Sequence, residues 1–330
     1  MEDQTGGPEK KSKSRRAKVA SGEGRLAFYL IGPALLLLAV VVGYPIVSAI
    51  YHSMLSDATT KLLPNGKFAT GSSFIGVDHY VDWLGQKCPS GGKSVSCPNG
   101  NIGAQFWTAI GNTLFYTIVT VVLETLIGMA FALMMHKAFK GRALVRAVIL
   151  VPWAIPTAVT AKLWQVIFDQ QGVFNKVLGT NFAWTTTTWP ARFAIIIADV
   201  WKTTPFIALL ILAGLQIIPA DLYESAKVDG ATAWQRFTKI TLPLAKPAIA
   251  VAVIFRAMDV LRMYDLPAIL TPGAQDSQTI SVLVVKALRQ NVNDAAALST
   301  ITFIFIFLCA FLLVRILGAN VVRSQAKGVK

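Results

Sequence analysis

The sequence predicts an all-α polytopic membrane protein with six transmembrane helices and a helical cytoplasmic loop between the fourth and fifth. Three observations carry that prediction. Hydrophobic residues make up 54% of the 330 and only 15% are charged, and with a positive mean hydropathy the composition leaves the soluble range. Six apolar runs recur, about Leu26 to Ile50, Phe106 to Met135, Leu144 to Phe168, Phe193 to Ile218, Leu244 to Leu270 and Ala295 to Leu317. Each is near the ~20 residues a helix needs to cross ~30 Å of hydrocarbon, and helix is the expected state because backbone polar groups in lipid must pair within their own segment. Third, Lys and Arg are unevenly shared between alternate connections. With the N-terminus inside, the inside segments hold nineteen and the outside loops eight. That bias puts both termini on the cytoplasmic side of the membrane. The net charge of +14 thus reflects orientation and is no sign of a nucleic-acid partner.

In chain order, residues 1–24 are rich in Gly, Ser, Lys and Arg with no aromatic residue, so they read as a disordered basic cytoplasmic tail that can also touch anionic lipid headgroups. Arg15-Arg16 only faintly imitates a twin-arginine signal. The apolar run after it is too long for a signal h-region and ends without a small-residue cleavage site, so it reads as a retained first span. Residues 25–318 form the membrane domain and 319–330 a second cytoplasmic tail. The largest outside loop, 51–105, carries Cys88 and Cys97 in a Pro/Gly/Ser-rich stretch, where a disulfide is expected outside the cytoplasm. Cys309 in the last span reads as packing.

Enzyme chemistry finds no support. Gly91-Gly92-Lys93-Ser94 imitates the end of a phosphate-binding loop, but residue 87, where the first Gly belongs, is Lys, and no strand or helix pattern frames it. His52, His79 and His136 are scattered, with no HExxH, paired-Cys or GxSxG pattern. No catalytic or metal-ligating residue is assigned, and any ATP used must be bound by another subunit.

Charges inside the apolar runs stand out, because one at mid-bilayer costs ~2.5–3.5 kcal/mol and so faces a bundle interior or an aqueous path. The second run contains Glu124, with Asn112 and Tyr116 on nearby turns. The fourth contains Asp199 and Lys202, beside Trp201 and before Thr203-Thr204-Pro205. The fifth contains Arg256, Asp259, Arg262 and Asp265 at steps of three, with Pro267 near its outer end. On one reading Asp199, Lys202, Phe206, Arg256 and Asp259 line a polar solute path, with Trp153, Trp201 or Phe206 covering apolar faces of the solute. On the other the charges close on one another, Asp199 with Lys202 and Asp259 with Arg256 or Arg262. Glu124, Arg262 and Asp265 fit that structural network better.

The polar loop at 219–243, DLYESAKVDGATAWQRFTKITLP from Asp221, lies between two spans. Spacings of three and four predict a short helix from about Leu222, ended by Gly230, which can take positive φ. Trp234 and Phe237 give its second half an apolar side to lie against the membrane ends, and Pro243 and Pro247 open the next span.

Glu224-Ser225-Ala226, Gly230, Ile240 and Leu242-Pro243, at fixed spacing, resemble the EAA loop of the membrane subunits of binding-protein-dependent ABC importers. Ser225 stands where that family usually has Ala. Ile218-Pro219, Leu222-Tyr223-Glu224 and Asp229-Gly230-Ala231 resemble its carbohydrate branch, and the whole sequence is similar to the trehalose-importer permeases of mycobacteria and relatives. The resemblance implies that Glu224, Ser225, Ala226, Asp229, Gly230, Ile240, Leu242 and Pro243 couple to an ATPase. It further implies a second, homologous permease, two copies of a cytoplasmic ATPase holding the ATP and Mg, an external sugar-binding lipoprotein and a disaccharide cargo. Six spans instead of the eight of some maltose permeases is a departure within the branch. A secondary transporter or channel working without ATP is the alternative, though no internal repeat supports it; a membrane enzyme is weaker still.

Overall fold

Long apolar runs fold here as helices, some broken at a proline and others continuing through one. The computed structural model describes residues 28–57, 59–62, 68–90 and 93–318, so the expectations for the two tails, 1–24 and 319–330, lie outside the described residues. Five helices are long and apolar enough to cross a membrane: α1 (Phe28–Ser53), α3 (Gly103–His136), α7 (Thr188–Gln216), α9 (Ala233–Val260) and α12 (Val292–Gly318). A sixth crossing comes from the pair α4 (Arg142–Ala154) and α5 (Thr157–Ile167), counted as one broken span bent by 93°. Between these lie short helices α2 (Asp78–Gly85), α6 (Val173–Leu178), α8 (Ala220–Val228), α10 (Asp265–Leu270) and α11 (Ile280–Leu288).

The third apolar run is therefore broken where a straight span was expected. Ile155 is extended (φ −77°, ψ 131°) ahead of Pro156, the conformation that the proline ring forces on its predecessor. Pro156 also has no N–H for the carbonyl four residues back. The fifth run is shorter at its outer end than expected, because α9 stops at Val260 and turns before α10. Pro267 cannot donate to the Met263 carbonyl, and the Thr279 hydroxyl does so instead at 2.7 Å. At its other end α9 begins earlier, at Ala233, and runs through Pro243 without a break. A π-turn over Phe237–Thr241 absorbs the lost bond. The same device precedes Pro45, with a π-turn at Ala39–Gly43.

Packing divides the bundle into ends and a middle. α7 is the most buried span and α1 the least, with no buried residue in its most apolar window. Where α3 crosses α7, Gly128 leaves no room for a side chain: a Cβ there would stand 2.9 Å from Ile207, the close approach that small residues permit between membrane helices. One end packs Met135, Ile211, Leu215 and Ala245 and leads into α8. The other packs Trp83, Phe106, Ile280 and Leu298.

That second end carries the segment 51–105, the one part of the described chain with strands. β1 (Thr59–Leu62) pairs antiparallel with β2 (Phe68–Gly71), and β3 (Lys87–Ser90) with β4 (Lys93–Ser96). A Cys88–Cys97 disulfide, Cα to Cα 5.0 Å, closes the second hairpin. α2 ties this segment to α12. The indole N–H of Trp83 donates to Asp294 Oδ1 at 2.8 Å; His79 Nδ1 lies 3.3 Å from the same oxygen and Nε2 3.0 Å from the Leu55 carbonyl. Both ring nitrogens face acceptors, so both must carry a proton for both contacts to hold. The hydrogen bond to Asp294 holds the imidazole above its usual range. Burial pushes the neighbouring Asp57 carboxyl up as well. Asp57 accepts the Asp294 N–H at 3.4 Å.

A connection from 271 to 279 is pinned to α3 by backbone contacts. Asn112 Nδ2 donates to the carbonyls of Asp276 (2.7 Å) and Gln278 (3.0 Å), the Tyr116 hydroxyl to Ser277 (2.6 Å), and the Ile280 N–H to Thr113 Oγ1 (3.0 Å). Asn112 and Tyr116, singled out beside Glu124, thus hold this loop and do not join the charges.

Candidate functional site

The intramembrane charges meet at Arg256 on α9. Its Nε donates to Glu124 Oε2 at 2.6 Å and its Nη2 to Glu124 Oε1 at 3.0 Å, a two-point grip that fits the planar guanidinium. Nη2 also reaches Asp199 on α7, and Nη1 reaches Asp259 one turn along α9. The Glu124 side chain is fully buried, Arg256 3% and Asp199 7% exposed. Asp259 is different, with 71% of its side chain exposed. Thr203 completes the cluster, its hydroxyl 2.5 Å from Glu124 Oε1 and 2.6 Å from the Asp199 carbonyl. Helices α3, α7 and α9 are thereby joined at one point. A buried ion is tolerated only when paired and hydrogen-bonded, and each buried acid here has that partner.

This geometry corrects one pairing and one grouping, and keeps the pairing of Asp259 with Arg256. Asp199 binds Arg256 and not Lys202, because Arg256 comes from the facing helix with its fork toward the acid, whereas Lys202 sits one turn on along the same helix and makes no ion pair among the described residues. Nor do Arg256, Asp259, Arg262 and Asp265 form one ladder. α9 ends at Val260, so Arg262 lies in the turn, exposed, its Nε on the Met258 carbonyl at 3.2 Å, and Asp265 opens α10, also exposed. Neither belongs to the network, and Glu124 does. Of the residues expected along a path, Arg256 and Asp199 are closed off by their partners, while Asp259 is exposed and Lys202 and Phe206 half-buried. Phe206 stacks on exposed Trp153 with centroids 5.9 Å apart, and Trp201 meets Trp164 edge-on at 5.7 Å. Thr203, noted only as following Asp199 and Lys202 in the fourth run, joins the cluster because it stands one turn after Asp199.

The polar loop has the opposite character. α8 starts after Pro219, with Asp221 in its first turn and Lys227 in its last, matching the helix dipole. Gly230 (φ +79°) ends it. The Gly230 N–H bonds the Lys227 carbonyl at 3.0 Å and the Ala231 N–H the Ala226 carbonyl at 2.9 Å, the two bonds of a Schellman close. Thr232 and Gln235 then form a capping box at the start of α9. The Tyr223 hydroxyl lies 3.0 Å from Thr241 Oγ1, and Arg236 Nη1 donates to the Ala231 carbonyl at 2.6 Å, which folds the loop into a rigid elbow. No residue of α8 is buried. Glu224, Ser225 and Asp229 are exposed, Ala226, Ile240 and Leu242 partly covered, and Pro243 exposed in the continuous helix. Large apolar side chains share the surface: Val228 is 88%, Ile217 82% and Trp234 71% exposed. Trp234 leans on Phe237 at 5.6 Å, so the two rings form one apolar side on this half of the loop.

Helical spans, a broken crossing and an exposed loop helix define a polytopic membrane protein. Residues 124–327 match the model of the family described as binding-protein-dependent transport system inner membrane component, and the chain belongs to that family. It is 36% identical over 298 residues to the trehalose/maltose transport system permease protein MalF of Thermococcus litoralis, covering 88% of this chain and 92% of that one. It is also 36% identical over 309 residues to the trehalose transport system permease protein SugA of Mycobacterium tuberculosis, covering 93% of each. Among solved structures, a chain of a bacterial ABC transporter involved in the import of the acidic polysaccharide alginate aligns with a TM-score of 0.69 at 25% identity, over 93% of this chain and 99% of that one. Relatives of this kind are permease subunits and not enzymes.

Proposed function

We propose that the chain is one membrane subunit of an ATP-driven importer of a disaccharide, with trehalose as its cargo. The observation that carries the reading is α8: a rigid helix with Glu224 exposed and Leu222, Val228 and Trp234 uncovered around it, which costs solubility unless a partner covers it. Glu224, Ser225, Ala226, Asp229 and Gly230 dock on a cytoplasmic ATPase, and Ile240, Leu242 and Pro243 carry the motion into α9, which is continuous with the loop. Two ATPase copies hold the ATP and Mg. A second, homologous permease supplies the other half of the path, and an external lipoprotein delivers the sugar. Both termini lie in the cytoplasm. ATP-bound and ATP-free states of the ATPase pair bias the bundle between outward and inward openings through their different contacts at α8.

Trehalose is supported by the names of the two relatives and by the chemistry beside the hub. Asp259 and Lys202 offer hydrogen bonds to hydroxyls, and the Trp153–Phe206 stack offers an apolar platform. The test is uptake of labelled trehalose by proteoliposomes holding the purified assembly, its binding protein and internal ATP. Uptake that needs both ATP and binding protein supports the reading; uptake without ATP contradicts it and points to a secondary transporter.

A further inference from the structure

We propose that Glu124, far from the coupling loop in sequence, is a positioning residue that sets which charge the solute path presents and hence which sugars it accepts. This deepens the reading above and rests on it.

The argument starts from the five N–H groups of Arg256. Glu124 takes Nε and one Nη2 bond from α3, while Asp199 takes Nη2 from α7. Both acids are closed to solvent, so this side of the guanidinium is locked between helices. The remaining arm, Nη1, ends on Asp259, whose carboxylate is largely exposed. A solute beside α9 therefore meets the acid and not the arginine behind it. Counted with Lys202, the cluster holds three carboxylates and two cations, a formal excess of one negative charge. Such a surface accepts hydroxyl donors and repels anions.

Glu124 keeps the arginine in that place. Without its charge, Arg256 loses the two-point hold on α3 and only the acids of α7 and α9 remain, one of them at the exposed edge. The guanidinium then gains freedom toward that edge and the formal charge becomes neutral. A neutral disaccharide loses affinity, and an anionic one is no longer excluded. A purely structural role for Glu124 predicts loss of assembly or of maximal rate, and no change of preference between neutral and anionic sugars.

The experiment uses the detergent-solubilised assembly and measures binding of labelled trehalose, competed by trehalose 6-phosphate. Wild type is expected to bind trehalose and resist the phosphate. Glu124→Gln is expected to weaken trehalose binding about tenfold and let the phosphate compete, whereas Glu124→Asp, which keeps the charge, retains the wild-type preference. Asp259→Asn, at an exposed position that does not threaten folding, is expected to weaken trehalose binding too. If Glu124→Gln binds both sugars as wild type does, the proposal is wrong. If Glu124→Gln does not assemble, Asp259→Asn decides: unchanged trehalose binding overturns the proposal, and weakened binding with phosphate now competing supports it. Failure of wild type to transport or bind any disaccharide counts against the cargo reading instead.

Discussion

Arg256 reaches three carboxylates at the middle of the bundle, whereas Glu224 and Lys227 on α8 and Asp229 just after it make no ion pair among the described residues. The contrast separates two uses of charge in one chain. In the hub each buried ion is held by another, and removing one strands the rest in a medium that cannot solvate them. On the loop each ion keeps its water, so the fold gains little from it. A charge that the fold does not need, set on a rigid elbow among uncovered apolar side chains, is available to a partner. The comparison predicts that removing the hub's central arginine acts on folding first, and that substitutions in the loop act on assembly first.

The largest expected effect follows from taking away the hub's centre. Arg256→Ala leaves Glu124 and Asp199 buried without their counter-ion and should cost about 3–5 kcal/mol, read as loss of monodisperse protein in detergent. A stable Arg256→Ala protein with normal melting would erase the distinction between the regions. Smaller is the effect of Tyr116→Phe, which leaves the Ser277 carbonyl unpaired in the buried loop pinned to α3. The expected loss is about 1–3 kcal/mol in thermal unfolding, and none at all would mean that Asn112 and Thr113 hold the loop without it.

A third prediction lies between the two regimes, at the end of the molecule where His79 clasps Asp294 and Leu55. Its folded-state pKa is raised above the ordinary value near 6.5. The clasp's contribution to stability is therefore fully present below about pH 6.5 and is lost as pH rises through the higher folded value. Asp57, also raised, acts in the same direction at lower pH. Facing His79 are Asp294 from α12, Asp57 from the turn after α1, and Asp78 and Asp82 of its own helix, with Lys87 on the same cleft of about 820 Å³. Melting temperature should fall between about pH 6 and about pH 8 and His79→Gln should flatten that fall; a flat wild-type profile would show that the ring binds its proton equally well folded and unfolded, so that the clasp does not favour the charged form. The smallest expected effect on stability is that of Glu224→Lys, within about 0.5 kcal/mol, although ATPase co-purification should be lost. Retained co-purification with an equally stable protein would remove the docking role from Glu224.

Much of this was legible in the sequence because its causes are local. The apolar lengths set the spans, and Gly230 ends α8 where its freedom of φ allowed. What was not legible needed a facing helix. Nothing in the spacing of Asp199 and Lys202 reveals that Arg256 reaches Asp199 first, since three-residue spacing favours the intrahelical pair. Pro156 was read inside a span because apolar length outweighed it, yet the residue before a proline resists helix. Likewise Pro267 stood near the outer end of the fifth run, but α9 stops at Val260 and Pro267 lies in α10, with the Thr279 hydroxyl on the Met263 carbonyl in the turn between. The charges of the loop could be read from their motif, whereas those of the hub could be recognised as costly but not paired.

The most direct test of the account is ATP hydrolysis by the assembly purified through this chain, with and without binding protein loaded with trehalose. The account predicts that an ATPase co-purifies, that loaded binding protein stimulates hydrolysis, and that Glu224→Lys abolishes both. A chain that purifies alone and still moves sugar without ATP would contradict it.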